Sequence, residues 1–466
     1  MTAFGQTASP FTADSPDVAA LLPVSAPSIN NPSTNNPPTN NPLANAAPFF
    51  PTEPSTLEET GLLPNDIEPL VLKLLLTSGP TVGRKIAEQL RLPFGLIGEQ
   101  LRSLRGQLLL TISKQAAMGD FEYDLTEDGR QRAHWHSDRC TYCGAAPVPL
   151  DAYIASIQAQ SLVRERVRLP DICRALSGLM LPPATLSQLG QAVHAGRGLF
   201  LYGEPGNGKT SIAERLVRAF SSTIWIPRTI TVTGEIIRLY DPASHIEAPL
   251  ENPQDQYFDS LRYDRRWVRI QRPMIMVGGE LRLEQLEITN NQATGILEAA
   301  VQLKSNGGAL VIDDFGRQRC SPAELLNRWI VPLENGHDYL NLPSGRQIQV
   351  PFDQLLVFST NLQPHKIVDE AFLRRIPYKI EVSDPSPREF RELVEQWCCK
   401  LGVEFQAAAC EHLLASHYQE GNHPLRYCHP RDLVQQVRAY CEFQDMPPVL
   451  SPKALDVAAK NYFAGL

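Results

Sequence analysis

A glycine-rich segment at residues 203–211 has the residue types and spacing that bind phosphate. It comprises Gly203, Glu204, Pro205, Gly206, Asn207, Gly208, Lys209, Thr210 and Ser211. The pattern predicts a loop whose backbone N–H groups surround the phosphates of a nucleotide at the start of a helix. Lys209 would neutralise the β- and γ-phosphates, and the hydroxyl of Thr210 would hold Mg²⁺.

Two apolar runs farther along the chain end in side chains that can support hydrolysis. Asp313 and Asp314 follow the run Ala309–Ile312, and Asn361 follows the run at 355–360. A carboxylate at the end of a buried strand can hold Mg²⁺ through water, which is the role predicted for Asp313. A second carboxylate can orient the attacking water, so we assign that role to Asp314. Asn361 would help to position the same water.

Three arginines are candidates for contacts with the transferred phosphate. Arg374 and Arg375 are adjacent, and Arg431 lies on the first turn of a predicted helix. Guanidinium groups stabilise the charge that develops during phosphoryl transfer. The alternative for Arg374 and Arg375 is a surface ion pair, and the alternative for Arg431 is an ordinary charge next to an aspartate.

These residues require a strand before the glycine-rich loop, a helix after it and further parallel strands. Their order resembles that of the AAA+ ATPases, and the resemblance runs from about residue 165 to residue 466. It implies an α/β fold with a parallel-sheet P-loop nucleotide domain at 186–383 and a helical lid at 384–466. It also implies ATP and Mg²⁺ as cofactors and a homo-oligomeric ring, usually a hexamer. In such a ring Arg374 or Arg375 would reach the neighbour's γ-phosphate, and Arg431 would sense the phosphate of its own subunit.

One residue departs from the family pattern. Most active members have Asp-Glu where this chain has Asp313-Asp314. Aspartate is one methylene shorter than glutamate, so its carboxylate falls about 1.5 Å short of the usual position. Because the geometry of a general base is sensitive at that scale, we predict that hydrolysis is slow unless the backbone compensates.

Two segments are candidate contact surfaces for a substrate. A hairpin is predicted around Pro343–Gly345, and it is similar to the hairpin of MoxR-like AAA+ groups that faces the ring pore or the substrate. The second candidate lies between Tyr240 and Gln292 and contains Tyr257, Phe258, Trp267 and Met274–Gly279. The alternative for each segment is packing against the sheet.

The first 185 residues divide into three parts. Residues 1–60 are rich in proline and asparagine and predict a disordered arm. Residues 61–145 predict three helices followed by a hairpin, which resembles a winged-helix domain of α+β type. Residues 146–185 predict a linker and a docking helix.

A weak zinc candidate lies near the end of the second part. His134, His136, Cys140 and Cys143 are four ligand-type residues within ten positions. The Cys-x-x-Cys spacing suits half of a tetrahedral site, but His-x-His is an unusual complement and no second Cys-x-x-Cys follows. We therefore regard zinc as unlikely and the thiols as incidental.

Composition limits the function further. From Lys73 onward the chain has 44 acids against 43 bases, so there is no general basic field for nucleic acid. No apolar stretch is long enough for a membrane span, no signal peptide is evident and the nine cysteines suggest a cytoplasmic protein. The favoured reading is a chaperone-like bacterial ATPase that remodels a protein partner, similar to those linked to Flp pilus assembly. A nucleic-acid-associated regulator and a low-turnover ATP-dependent scaffold or switch are the alternatives.

Overall fold

The computed structural model describes residues 49–196, 198–248, 250 and 262–464. The first 48 residues of the predicted disordered arm, and Tyr257 and Phe258, lie outside the described residues. The prediction of disorder is wrong for residues 49–60. Phe49 packs against Trp267 with ring centroids 5.2 Å apart, and Phe50 packs against Trp225 at 5.7 Å. These aromatic contacts offset the entropy of ordering the segment.

The N-terminal part is a helical unit with a small antiparallel sheet. Its elements are α1 (Leu57–Thr60), α2 (Pro64–Ser78), β1 (Thr81–Val82), α3 (Gly83–Leu90), α4 (Phe94–Gly106), β2 (Leu110–Gln115), β3 (Phe121–Leu125) and α5 (Glu127–Arg139). β2 and β3 form a hairpin, and β1 pairs with the other edge of β3. The apolar faces of the helices close one core over this sheet, in which Ile67, Ile86 and Leu101 are fully buried.

The next elements lead into the central part of the chain. They are β4 (Val148–Pro149), α6 (Leu150–Ala159), α7 (Leu169–Ala175) and α8 (Pro183–His194). β4 and α6 fall within the predicted linker and docking helix. β4 pairs with a later strand, and Tyr153 of α6 is fully buried, so this stretch packs as part of the fold.

The described residues of the central part form thirteen strands. Its elements are β5 (Leu199–Tyr202), α9 (Lys209–Leu216), β6 (Thr223–Pro227), β7 (Thr229–Val232), β8 (Glu235–Arg238), β9 (Trp267–Gln271), β10 (Met274–Val277), β11 (Thr289–Asn291), β12 (Ile296–Glu298), α10 (Val301–Lys304), β13 (Ala309–Ile312), α11 (Pro322–Asn335), β14 (His337–Asn341), β15 (Gln347–Pro351), β16 (Leu355–Thr360), α12 (Glu370–Leu373) and β17 (Tyr378–Glu381).

A five-stranded parallel sheet in the order β10-β13-β16-β5-β17 confirms the predicted α/β class. Its central strands are apolar on both faces because helices cover both. Leu199 and Leu201 enter one core, whereas Phe200 enters the other. The carboxyl ends of β5, β13 and β16 therefore meet along one edge, where α/β sheets bind ligands.

A second sheet has the order β11-β12-β8-β7-β4, in which β4 joins four strands inserted between α9 and β13. The predicted hairpin is β14–β15, and its Leu340 and Ile348 pack into the core of this insertion. In the second candidate contact surface, Trp267 and Met274–Val277 have packing partners within the fold. Met274–Val277 is the edge strand β10 of the parallel sheet, and Trp267 is only 5% exposed because it packs against Phe49.

The C-terminal part is helical. It consists of α13 (Pro387–Leu401), α14 (Ala407–Leu413), a π-helical turn (Leu414–Gln419), α15 (His429–Phe443) and α16 (Pro452–Phe463). Ser386 caps α13 in a reciprocal pair with Glu389, which satisfies donors at the helix start. Phe390, Leu413, Val434 and Leu455 are buried in one core.

A buried histidine should make the stability of this helical part depend on pH. Burial, together with the nearby charge of Arg426, holds the pKa of His429 down to about 4. Its Nδ1 shares a hydrogen bond of 2.9 Å with the hydroxyl of Tyr418, whose pKa burial raises. In the unfolded chain the imidazole of His429 binds a proton near pH 6.5, whereas in the folded chain it stays neutral. The free energy of unfolding should therefore fall as pH drops from about 6.5 to 4.

The measurement is urea unfolding at pH 7 and pH 5, followed by circular dichroism, for the wild type and for His429→Gln. The difference between the two pH values should be smaller in the variant, because it lacks the titrating imidazole. His365→Gln, at an exposed site, is the matched control. An equal pH difference in all three proteins would contradict the assignment.

Candidate active site

Lys209 lies at the centre of a cleft at the carboxyl edge of the parallel sheet. It is the first residue of α9 and is 6% exposed. Its Nζ donates to the carbonyl oxygens of Gly203 and Glu204, each at 2.9 Å, and to Oδ1 of Asn361 at 2.7 Å. Burial lowers the pKa of Lys209, whereas the carboxylates of Asp313 and Asp314 act in the opposite direction. The ammonium is thus held where the loop would receive phosphates.

The glycines of the loop are required by its backbone. Gly206 and Gly208 have φ of 84° and 79°, a region that L side chains rarely adopt. A Cβ atom on Gly206 would also lie 2.6 Å from Sγ of Cys428 in the helical part. A residue other than glycine would therefore be strained at these two positions, and Cys428 leaves no room for a side chain at Gly206.

The site offers oxygen ligands for Mg²⁺. The hydroxyl of Thr210 lies 3.0 Å and 3.2 Å from the two carboxylate oxygens of Asp313. A hydroxyl and a carboxylate side by side are hard oxygen donors, which Mg²⁺ prefers. These two residues fit the ion, as the sequence predicts.

Asp314 and Asn361 form the next layer of the site. Asn361 donates from Nδ2 to Oδ1 of Asp314 at 3.3 Å while its own Oδ1 accepts from Lys209. Asp314 has φ of 48°, in the left-handed region, and its side chain is exposed to the cleft. The N–H of Phe315 donates to the carbonyl of Ser359 at 2.7 Å, which fixes this turn against β16. One amide thus links the ammonium of Lys209 to the carboxylate of Asp314.

The helical part contacts the glycine-rich loop directly. Asn207 donates to Oδ1 of Asp384 at 2.6 Å, and the N–H of Cys428 donates to the carbonyl of Gly206 at 3.0 Å. Arg426 forms ion pairs with Asp384 and with Glu204, the latter at 3.2 Å. Sequence reasoning missed Arg426 and Asp384, because no local pattern marks an ion pair between domains.

The cleft has a volume of about 760 Å³, a size that accommodates a nucleotide. The cleft is also lined by apolar and aromatic side chains that sequence reasoning missed. They are Leu179, Met180, Leu181, Leu393, Trp397 and Tyr427. These residues come from the segment before α8, from α13 and from the loop before α15, so they meet only in the folded chain. They are suited to hold a nucleobase.

Of the three predicted arginines, one lies in the cleft and two lie outside it. Arg431 lines the cleft, where its Nε donates to Asp432 at 2.8 Å. Arg374 and Arg375 lie outside the cleft of their own chain, with Arg374 paired to Glu370 at 2.9 Å and Arg375 paired to Glu334 at 2.6 Å. Arg317, which sequence reasoning missed, also lines the cleft beside the two acids.

The residues of the zinc candidate do not assemble into a ligand group in the described part of the chain. His136 lies 3.6 Å from Glu68 on α2, and the carbonyl oxygen of Cys140 accepts a hydrogen bond from Lys73 at 2.9 Å. The backbone and side chains of this segment therefore serve contacts with α2.

Trp397→Ala should weaken ATP binding by about tenfold, a loss of about 1.4 kcal/mol, because it removes the largest ring that lines the cleft. The measurement is a titration with a fluorescent ATP analogue. Trp135→Ala, at a 55% exposed position in the N-terminal part, is the control and should bind as the wild type does. An unchanged Kd for Trp397→Ala would place the base elsewhere.

Comparison with known proteins gives one family match and several low structural similarities. Residues 386–461, which span α13 to α16, match a domain of unknown function, DUF8689. NtrX from Brucella abortus in complex with ATP is 13% identical over 62% of this chain and 59% of its own, with a TM-score of 0.38. RuvB from Thermotoga maritima, a Holliday junction branch migration motor, is 12% identical over 60% of this chain and 70% of its own, with a TM-score of 0.35.

These TM-scores are too low to establish a relationship, and the aligned region spans less than two thirds of the NtrX chain. No curated protein matches the sequence. Among the helices in the described residues, none combines the length and the apolar character that crossing a membrane requires.

Proposed function

We propose that the chain is an AAA+ ATPase that couples the binding and hydrolysis of ATP to remodelling or assembly of a protein partner. The observation that carries this proposal is the hydrogen-bonded series Lys209–Asn361–Asp314 beside the Thr210–Asp313 pair. Five residues from three separate segments converge at one edge of a parallel sheet. Each has the type that nucleotide hydrolysis needs at its place.

The roles follow from the contacts. Lys209 would hold the β- and γ-phosphates, and Thr210 with Asp313 would hold Mg²⁺, which neutralises phosphate charge when bound. Asp314 would accept the proton of the attacking water, and Asn361 would keep that carboxylate in place through its Nδ2. Trp397 and its neighbours would exclude water from the nucleobase in the cleft.

In this proposal, ring assembly brings an arginine of one subunit to the nucleotide cleft of its neighbour. Arg374 and Arg375 lie outside the cleft of their own chain and pair with Glu370 and Glu334, so in a ring one of them would exchange its carboxylate partner for a neighbour's γ-phosphate. The test mixes two inactive variants, Lys209→Ala and Arg375→Ala. A mixed ring contains intact sites that receive Arg375 from the Lys209→Ala subunit, so ATP turnover should reappear on mixing. Arg388→Ala, at an exposed position on α13, is the control. Mixtures that stay inactive although both variants assemble would contradict the role in trans.

A structural change at the nucleotide would reach the partner protein through the contact between the glycine-rich loop and the helical lid. Asp384, Arg426 and Cys428 of the helical part bind the loop that receives the phosphates. A change in phosphate occupancy would therefore move the lid. The cytoplasmic location, the hexamer and the link to pilus assembly stay predictions of the sequence.

The surface of the N-terminal part favours a protein over nucleic acid as the partner. On the winged-helix-like unit, Lys114 pairs with Glu122 at 3.2 Å and Arg130 with Asp124 at 3.6 Å. A DNA-binding face needs several cations free for phosphates. Duplex DNA should therefore leave ATP turnover unchanged. Stimulation by DNA that disappears in Arg102→Ala/Arg105→Ala, which alters the exposed face of α4, would support the nucleic-acid alternative instead.

One observation favours a second candidate, a low-turnover ATP-dependent scaffold or switch. Asp314 is the shorter acid, and its carboxylate contacts Asn361 at 3.3 Å. If this contact holds the carboxylate away from the water, ATP would be bound and kept. The variants of Asp314 described in the Discussion separate the two functions.

A further inference from the structure

Three ligand-type side chains converge in the helical part, away from the nucleotide cleft. Nε2 of His412 and Nε2 of His417 each lie 2.8 Å from the same oxygen, Oδ1 of Asp456. The three ligand atoms all lie within 4.8 Å of one another, and within the described residues this is the single group of its kind. None of the three residues lines the nucleotide cleft.

The helix changes its winding where the two histidines meet. His412 and His417 are five positions apart, which on an α-helix would separate them by about 140° around the axis. The segment Leu414–Gln419 is π-helical, and the N–H of Glu420 donates to the carbonyl of Ala415 at 3.0 Å. The wider turn brings both imidazoles to one face. Such π turns are rare and frequently occur at functional sites.

A serine next to the cluster supports the orientation that a metal ligand needs. Oγ of Ser416 lies 3.3 Å from Nδ1 of His412. A histidine that binds a metal through Nε2 carries its proton on Nδ1 and usually donates it to a neighbouring oxygen. The serine hydroxyl can accept a hydrogen bond from the Nδ1–H of His412. When the imidazole proton is on Nε2, the hydroxyl can instead donate a hydrogen bond to Nδ1.

The scaffold under the cluster is rigid, whereas its open side admits an ion. Leu413 on α14 and Leu455 on α16 are fully buried in the shared core. The side chains of His412, His417 and Asp456 are 35%, 24% and 49% exposed. A ligand set on packed helices with a half-exposed carboxylate can therefore load from solvent without unfolding.

The distances are close to those of a tetrahedral ion. Zinc bonds of about 2.0–2.1 Å place neighbouring ligand atoms about 3.3 Å apart. The two contacts of 2.8 Å would have to widen by about half an ångström, which rotation of the exposed Asp456 side chain can supply. Two imidazoles with one carboxylate match the donor preference of zinc, in contrast to Mg²⁺ or Ca²⁺, which take oxygen ligands.

We propose that His412, His417 and Asp456 form a Zn²⁺ site that ties the π-helical turn to α16, with water in the remaining coordination position. The site lies wholly within the region that matches DUF8689. It is independent of ATP hydrolysis, because its ligands lie outside the cleft.

The test measures zinc binding to the full chain. The protein is stripped with a chelator, re-equilibrated with one equivalent of Zn²⁺ and separated from free ion, and bound metal is measured by elemental analysis. The wild type should retain about one zinc per chain, and its midpoint of thermal unfolding should rise with zinc. His417→Gln and Asp456→Asn should each bind at least tenfold more weakly and lose that rise.

The matched control is Cys140→Ser/Cys143→Ser, which removes the other zinc candidate in the sequence. It should retain the metal as the wild type does. All variants should bind ATP with wild-type affinity, which shows that they are folded. Absence of retained zinc in the wild type would overturn the proposal. So would equal retention by the wild type, His417→Gln and Asp456→Asn.

Discussion

Replacing Lys209 with alanine is expected to lower ATP turnover by at least a hundredfold and ATP affinity by about tenfold. The side chain is 6% exposed and lies within 3 Å of three acceptor oxygens, so its charge is fixed where the phosphates would bind. Removal of one preorganised charge from a dry site costs about a hundredfold to a thousandfold in rate. The measurement is steady-state phosphate release together with a nucleotide titration.

The control for this change is Lys366→Ala, which removes an exposed lysine of the same domain. It should leave both turnover and affinity unchanged. Loss of the lysine also frees Oδ1 of Asn361, so circular dichroism should confirm that the variant is folded. Turnover that persists within about threefold in Lys209→Ala would contradict the assignment of the whole cleft to ATP.

Asp314→Asn is expected to lower turnover by at least a hundredfold while ATP affinity stays within about threefold of wild type. The exchange keeps the size of the side chain and removes its basicity. Asparagine tolerates the left-handed backbone at φ of 48°, so the turn before Phe315 should persist. Single-turnover hydrolysis separates this loss of chemistry from product release. Unchanged hydrolysis in the variant would exclude Asp314 as the group that orients water.

Asp314→Glu distinguishes a motor from a switch. A wild type that turns over at about 1 s⁻¹ or faster, with activity that depends on ATP-driven assembly, supports the remodelling ATPase. A wild type that binds ATP tightly without turnover, and in which the longer acid restores hydrolysis, supports the switch. The positive φ at this position costs more free energy for glutamate than for aspartate. Thermal unfolding of the variant and the wild type should therefore be compared in parallel.

Some of the site was predictable because its atoms lie within one short segment. Gly206, Gly208 and Lys209 lie in a loop and at a helix start whose backbone geometry the local sequence encodes. Asp313 and Asn361 were predictable for a related reason. Each follows an apolar run, and buried parallel strands align their carboxyl ends at one edge.

Other features were predicted wrongly, because a local pattern does not report what a side chain packs against. Phe49 contacts Trp267, which lies about two hundred positions away in the sequence, and Phe50 contacts Trp225. These contacts order part of the predicted disordered arm and bury Trp267 of a predicted contact surface. Met274–Val277 similarly completes the parallel sheet.

The glycine-rich loop, the two acids and the amide could be located in the sequence, since each depends on a few neighbouring residues and on strand period. The groups that face them are set by the tertiary fold. Asn207 meets Asp384 across 177 positions, and Arg426 meets Glu204 across 222. The π-helical turn that joins His412 and His417 to Asp456 is likewise set by packing of α14 against α16. Such contacts arise from the docking of whole elements, and no local period in the sequence encodes that docking.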